Sequence, residues 1–344
     1  MEAIALIGID LGKRTYHVHA QDRRGHLVMR KAFNRSQLLN FLVRVPGCRV
    51  VMEACAGAHW FARKLSAMGH QPQLIAPQYV RPFVKTNKHD FADAEAICEA
   101  SSRPAMRYVS VKSIDQQCLS VLHRLRESWV CERTAMMNQA HGFLLEFGVS
   151  ATPSKALMYR LPEWMDRPEL EIPTTLRSLL LRLAERYRDL QGQIDALDRE
   201  IAVRLQQDEA AQRLLKIPGI GPVTASLIAA EAGSAKQYAC SRDFAASLGL
   251  VPRQHATGGR QKLLGISKRG DKHLRRLLVQ GARAVMITAE KRTDTLGVWL
   301  RQLLARRHSN IVACALANKM ARIVWAILAR NTTYQAVPAT PLTA

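Results

Sequence analysis

Four carboxylates stand where a chain can deliver them to one place. Asp10 ends the apolar run of residues 3–9, and Glu53 ends a second run from Cys48 to Met52. Asp90 and Asp93 lie three residues apart at the start of a helical stretch, so they share one helix face. Acids brought from two strand ends and a helix start can converge at one sheet edge, where they repel each other unless a cation is present. Two Mg²⁺ ions about 4 Å apart would neutralise them and clamp the attacking and leaving oxygens of a phosphodiester. Taken singly, each residue also fits a cap or a surface acid, Asp90 above all, because Asp favours helix starts.

The elements that must position these acids are legible. Residues 3–9 read as a buried strand, Tyr16 to Ala20 as an alternating second strand, and Gly25 as a turn toward Leu27–Met29, a β-meander. Helices are expected over 36–44, about 59–68 and 90–100, with strands at 48–52 and about 73–76. Strands interleaved with helices predict an α/β domain over 1–108. A helical connector follows over 109–208. It begins with a helix from Leu119 to Phe147 and continues through a linker marked by Pro153, Pro162, Pro168 and Pro173. Its second helix carries Leu176, Leu180, Leu183, Tyr187, Leu190, Ile194, Leu197 and Ile201, spaced alternately four and three apart. That is a coiled-coil seam of about four heptads. Two long helices can pair within the chain or between subunits, and the seam's length favours pairing between subunits in a homo-oligomer.

The segment 209–335 reads as a mainly α C-terminal domain, followed by a tail over 336–344. Within it, Ile217-Pro-Gly-Ile-Gly221 joins two helical stretches like a helix-hairpin-helix turn. There Gly219 and Gly221 would let backbone amides approach a phosphate, although a plain interhelix turn fits the same residues.

Charge narrows the partners. Lys and Arg number 50 against 28 Asp and Glu, a formal +22. Residues 251–330 hold 17 Lys or Arg against Asp271, Glu290 and Asp294, so this window carries +14 of that excess. A solvated face usually mixes signs, so a polyanion surface is expected, DNA first. Candidate contacts are Lys13, Lys85, Lys88, Arg253, Arg260, Lys262, Lys268, Arg269, Arg275 and Arg276. No run of about 20 apolar residues occurs and the N-terminal residues lack a basic leader pattern, so a cytoplasmic, nucleoid-associated bacterial protein without a membrane partner is expected. Seven cysteines without a C-x-x-C pair argue for reduced thiols rather than a zinc site or disulfides.

Gly8-Ile-Asp-Leu-Gly-Lys13, Met52-Glu-Ala-Cys-Ala-Gly57 and Lys85-Thr-Asn-Lys-His-Asp-Phe-Ala-Asp-Ala-Glu-Ala-Ile97 resemble the DEDD pattern of a RuvC-like, RNase-H-type nuclease domain. Leu248-Gly-Leu-Val-Pro-Arg-Gln-His-Ala-Thr-Gly-Gly259 and Leu264-Gly-Ile-Ser-Lys-Arg-Gly-Asp271 resemble the second domain of the IS110 family of DEDD transposases, in its IS1111 subgroup. The resemblance spans nearly the whole chain in the right order. It implies a transposase or site-specific recombinase with Asp10, Glu53, Asp90 and Asp93 as Mg²⁺ ligands and a structured guide RNA. It also implies active sites built from two subunits and a covalent serine–DNA intermediate.

The chain departs from that pattern at the nucleophile. The serine's segment reads His255-Ala-Thr-Gly-Gly259, which puts Thr257 at the serine position and the inert Ala256 one residue earlier. A threonine hydroxyl can attack phosphorus, though it is bulkier. Thr257 also fits a turn hydroxyl, and Ser267 is a weaker candidate. Two other readings compete, a non-catalytic DNA-binding architectural protein or repressor and a Holliday-junction-type nuclease. The first gives no reason to gather acids near phosphate, and the second leaves the C-terminal module unexplained.

Overall fold

Period-two alternation decides which side of the N-terminal sheet each residue serves. The strands are β1 (Leu6–Leu11), β2 (Tyr16–Gln21), β3 (Leu27–Phe33), β4 (Arg49–Glu53), β5 (Gln71–Ile75) and β6 (Tyr108–Val109). Their order in the sheet is β3-β2-β1-β4-β5-β6. The first three form the expected antiparallel meander, while β4 and β5 run parallel to β1 and β6 runs antiparallel to β5. The helices of this region are α1 (Arg35–Arg44), α2 (Ala58–Ala67), the short α3 (Pro77–Val80) and α4 (Asp90–Ser101). A capping box starts α1, with the Asn34 side chain accepting from the Gln37 amide at 2.9 Å and the Gln37 side chain accepting from the Asn34 amide at 3.0 Å. The computed structural model describes residues 4–84 and 89–338, which fall into two compact units, Met1–Ser113 and Ile114–Ala344.

In the first unit, Ile7, Ile9, Val18, Val50 and Met52 bury one sheet face against Leu38 and Leu42 of α1 and Phe61 and Leu65 of α2. Leu6, Val51 and Ile75 serve the other face, against Ile97, Cys98 and Ala100 of α4. Gly8 lies where α4 crosses the sheet: a Cβ there would stand 2.5 Å from the Ala94 carbonyl oxygen and 2.5 Å from Cys98 Sγ. No larger residue fits, and this close approach sets where the first turn of α4 falls. The α/β character read from the sequence holds.

The second unit is mainly helical: α5 (Ile114–Glu146), α6 (Lys155–Met165), α7 (Thr174–Gln206), α8 (Glu209–Leu214), α9 (Pro222–Ala232), α10 (Ser241–Ser247), α11 (Lys272–Ile287), α12 (Thr295–Leu304) and α13 (Ser309–Arg330). The heptad residues Leu176, Leu180, Tyr187, Leu190 and Ile194 of α7 are buried with Met136, Ala140 and Leu144 of α5 and Leu157, Met158 and Leu161 of α6. The expectation that this seam joins two subunits is therefore corrected. The same chain supplies the apolar surface that fills it, and Arg133 of α5 reaches Gln191 of α7 at 2.8 Å.

The C-terminal core gathers residues of α8 through α13. By length and composition α13 could cross a membrane, yet its stripe of Val312, Leu316, Met320, Val324 and Ile327 is buried in that core. The two helices expected around the Ile217–Gly221 turn are present as α8 and α9. Gly219 has φ +86°, and a Cβ there would lie 2.6 Å from the Gly281 carbonyl oxygen of α11, so close packing by itself requires this glycine. One element departs from the mainly α expectation. Pro252–Thr257 (β7) and Arg260–Ile266 (β8) form an antiparallel hairpin, closed by Gly258 and Gly259 at φ +56° and +76°. Nearly all of it is exposed, so it lacks the buried alternation by which a strand is read.

A buried polar cluster links α5, α9 and α11. His123, fully buried on α5, pairs Nε2 with Ser226 Oγ of α9 at 3.0 Å. Burial first, then the neighbouring His273 and Arg126, push its pKa down to about 4 from 6.5. His273 is also held below its usual value, mainly by burial. A histidine that protonates first in the unfolded chain loses stability as pH falls. For His123 the loss begins near its unfolded value and is complete near its folded one, about 3 kcal/mol in all. Urea midpoints should therefore fall between pH 7 and pH 4.5, and His123→Gln, which keeps a polar group near Ser226, should flatten that slope. An unchanged slope in the variant would assign the acid sensitivity elsewhere.

Candidate active site

Asp10 is on β1 beside the α4 face, which Leu6 and Gly8 of the same strand also serve. Glu53 ends β4, two residues after Val51 on that face and one beyond the paired Ile9 and Met52. Asp90 opens α4 and Asp93 stands one turn along it. The sheet and the helix thus bring their acids to the same end of one layer.

The tightest grouping includes a residue that sequence reasoning missed. Ligating atoms of Asp10, His17 and Asp90 all lie within 4.8 Å of one another, the group of this kind among the described residues. His17 is directly opposite Asp10 in the antiparallel register, and opposed residues project on the same face. Its Nδ1 is 3.6 Å from Asp90 Oδ2. The signal was present in the sequence, since a hairpin closing between residues 11 and 16 sets position 17 against position 10. The imidazole meets the Phe91 ring edge-on at 4.7 Å between centroids, and the Arg30 guanidinium covers Phe91 at 4.5 Å.

Glu53 and Asp93 fall outside that closest group. Glu53 is nevertheless near: burial raises the Cys55 thiol above its usual pKa, and the negative charges of Glu53 and then Asp10 raise it further. Both carboxylates are therefore within Coulomb range of one thiol. Carboxylate and imidazole donors at this spacing suit a divalent cation.

The basic candidates separate into two sets. Lys13 is exposed just after β1, and Lys85 and Lys88 lie outside the described residues. Arg253, Arg260, Lys262, Lys268 and Arg269 are exposed on or just after the hairpin. Arg275 and Arg276, expected to contact nucleic acid, are engaged internally instead. Arg275 donates to the carbonyls of Leu248 at 3.0 Å and Arg269 at 2.9 Å, while Arg276 pairs with Glu127. Burial opposes ionisation of Glu127, but the Arg276 hydrogen bond and charge together with His273 hold its pKa below the usual carboxylate value. Gly221 caps α9 with open space around it.

Salt dependence should follow this division. Replacing Arg260 and Lys262 with Gln should flatten the slope of log affinity for duplex DNA against log salt by about 2, roughly 0.9 for each phosphate that the variant no longer neutralises. Replacing Arg275 and Arg276 should chiefly lower stability. A wild-type slope in the hairpin variant would place the phosphate-binding cations elsewhere than on the hairpin.

Thr257 is exposed at the end of β7, paired with Arg260 across the turn. His255 pairs with Lys262, so alternation puts Thr257, His255, Arg260 and Lys262 on one hairpin face. Ser267 lies past the hairpin, where its amide donates to the Val251 carbonyl at 2.8 Å and its hydroxyl accepts from the Arg269 amide at 3.5 Å.

Comparison with known proteins agrees with this order of elements. A family model described as Transposase IS116/IS110/IS902 family matches residues 211–296, and a second, for DEDD transposases of IS110 type, matches residues 7–148. The chain is 53% identical to the transposase for insertion sequence element IS1328 of Yersinia enterocolitica, over 97% of this chain and 99% of that protein. It is 49% identical to a probable family 20 transposase of Pseudomonas aeruginosa, over 96% and 99% of the two chains. It is 38% identical to the transposase for insertion sequence element IS1111A of Coxiella burnetii, over 97% and 92%. With both family models matched in order and such identities over nearly its full length, the chain belongs to the IS116/IS110/IS902 family of transposases, enzymes that cut and rejoin DNA.

Proposed function

We propose that the protein cuts and rejoins DNA at the ends of an insertion sequence by metal-dependent phosphodiester transfer to a protein hydroxyl, directed by a structured RNA. The observation that carries this reading is the meeting of Asp10, His17 and Asp90 donor atoms within 4.8 Å, with Glu53 close by. Asp10, Glu53, Asp90 and Asp93 are assigned as the holders of a divalent cation, Mg²⁺ being the ion that the family resemblance implies and that carboxylate oxygens suit. Such a cation supplies Lewis-acid stabilisation of the phosphoryl and leaving oxygens.

Thr257 is assigned as the nucleophile. Its oxygen bonds to phosphorus, the bond from phosphorus to the departing sugar oxygen breaks, and that oxygen takes up a proton. One phosphate ester replaces another, so a second strand end can later displace Thr257 without an outside energy source. Arg260 and Lys262, on the same hairpin face, offset the phosphate charge, and His255 on that face is placed to take the hydroxyl proton. The guide RNA rests on the family resemblance, and the +14 of residues 251–330 suits both nucleic acids. A homo-oligomer rests on the resemblance as well.

The test is strand exchange between two DNA duplexes carrying the element's ends. Chelation should stop it and a restored divalent cation should revive it. Exchange at full rate in excess chelator would overturn the proposal.

A further inference from the structure

We infer that His17 is a direct metal ligand of this transposase, adding a nitrogen donor to the site. The inference rests on the metal-dependent reading above and goes beyond the four acids, which by themselves form an all-oxygen set.

Three observations carry it. The register fixes His17 opposite Asp10, so the imidazole is held at the acidic cluster by two strands rather than by a loop. His17 Nδ1 is buried and makes no hydrogen bond among the described residues. Its approach to Asp90 Oδ2, at 3.6 Å, is too long for one. A buried nitrogen without a hydrogen-bond partner is costly in a finished core, and beside the Asp90 carboxylate it is the expected state of a ligand awaiting an ion. Finally, Phe91 packs edge-on against the ring at 4.7 Å, which fixes its orientation from one side.

The spacing suits an ion. Donors about 2.1 Å from an octahedral cation stand about 3 Å apart in adjacent positions. The 3.6 Å between His17 and Asp90 thus closes with a shift of roughly half an ångström in an Asp90 side chain that is 64% exposed.

Mn²⁺ takes the same carboxylate ligands as Mg²⁺ and carries an electron-spin signal, so it reports the donor set of the site.

The experiment uses the full-length protein with Mn²⁺ as probe. Binding is followed by the loss of the free Mn²⁺ electron-spin signal, the bound ion is examined by pulsed spectroscopy for coupling to ¹⁴N, and Mg²⁺ is measured by competition. Wild type should show ¹⁴N coupling. Asp10→Asn should remove the bound signal, tying it to this site. His17→Asn, which offers an oxygen near the position of Nδ1, should keep Mn²⁺ and Mg²⁺ affinity within a few-fold and abolish the ¹⁴N coupling. Mn²⁺ bound in an Asp10-dependent way without ¹⁴N coupling would overturn the role of His17 and leave the acidic site standing. Absence of Asp10-dependent binding would overturn both. The coupling measurement on wild type needs no variant, so it decides the matter even if His17→Asn folds poorly.

Discussion

Asp10→Asn should abolish strand exchange and leave DNA binding at wild-type strength or tighter. Asp10 links the two groupings at the site: it belongs to the three-donor group with His17 and Asp90, and its charge acts on Cys55 together with that of Glu53. The amide keeps the size and one oxygen but removes the negative charge. Metal-based stabilisation of a phosphoryl transition state amounts to several kcal/mol. Losing about 4 kcal/mol of it slows exchange about a thousandfold, beyond the range of an ordinary assay. Binding moves the other way, because one negative charge facing phosphate is gone. The check is parallel, exchange rates beside equilibrium DNA binding at a fixed salt concentration. Loss of both together would mean that Asp10 supports the fold rather than the chemistry.

Thr257→Ala should abolish the proposed covalent protein–DNA adduct, and Thr257→Ser should restore it at wild-type level or above. Thr257 sits beside a turn of two glycines with positive φ, so backbone crowds it little and a phosphate can approach. The β-methyl restricts the hydroxyl's rotamers, and serine relaxes that restriction. Incubation with a nicked target, denaturation and mass spectrometry should find the adduct on the peptide that holds Thr257. An adduct on Ser267, or full exchange by Thr257→Ala, would show that another hydroxyl attacks. The exposed hairpin makes Thr257→Ala structurally mild, so unfolding should not obscure the result.

The sequence by itself determined most elements of the N-terminal unit in chain order and put its acids at two strand ends and a helix start, while the short α3 and β6 carried no such signal. The apolar runs 3–9 and 48–52 end on Asp10 and Glu53, which puts each acid at a strand end; both sheet faces are covered, so the fold decided which layer each residue serves. Asp90 and Asp93 share a helix face because three residues nearly complete a turn. These are local periodicities, and local periodicity is what a sequence states directly. The long helices of the second unit were legible for the same reason, and so was the excess of positive charge toward the C-terminus.

Tertiary structure decided what depends on partners distant in the chain. His17 joins the acids only because β2 returns against β1 in one register, and a shift by a single residue would put it on the opposite face. Arg275 and Arg276 looked like free cations until the fold supplied the Leu248 and Arg269 carbonyls and Glu127. The α7 seam reads identically whether its complement is a second copy or α5 and α6, because a heptad pattern specifies an apolar stripe and not what covers it. Gly219 suited a phosphate turn as well as it suits Gly281 of α11, since both need a backbone without a Cβ. The β7–β8 hairpin stayed hidden because solvent covers both of its faces, leaving no buried periodicity to announce it.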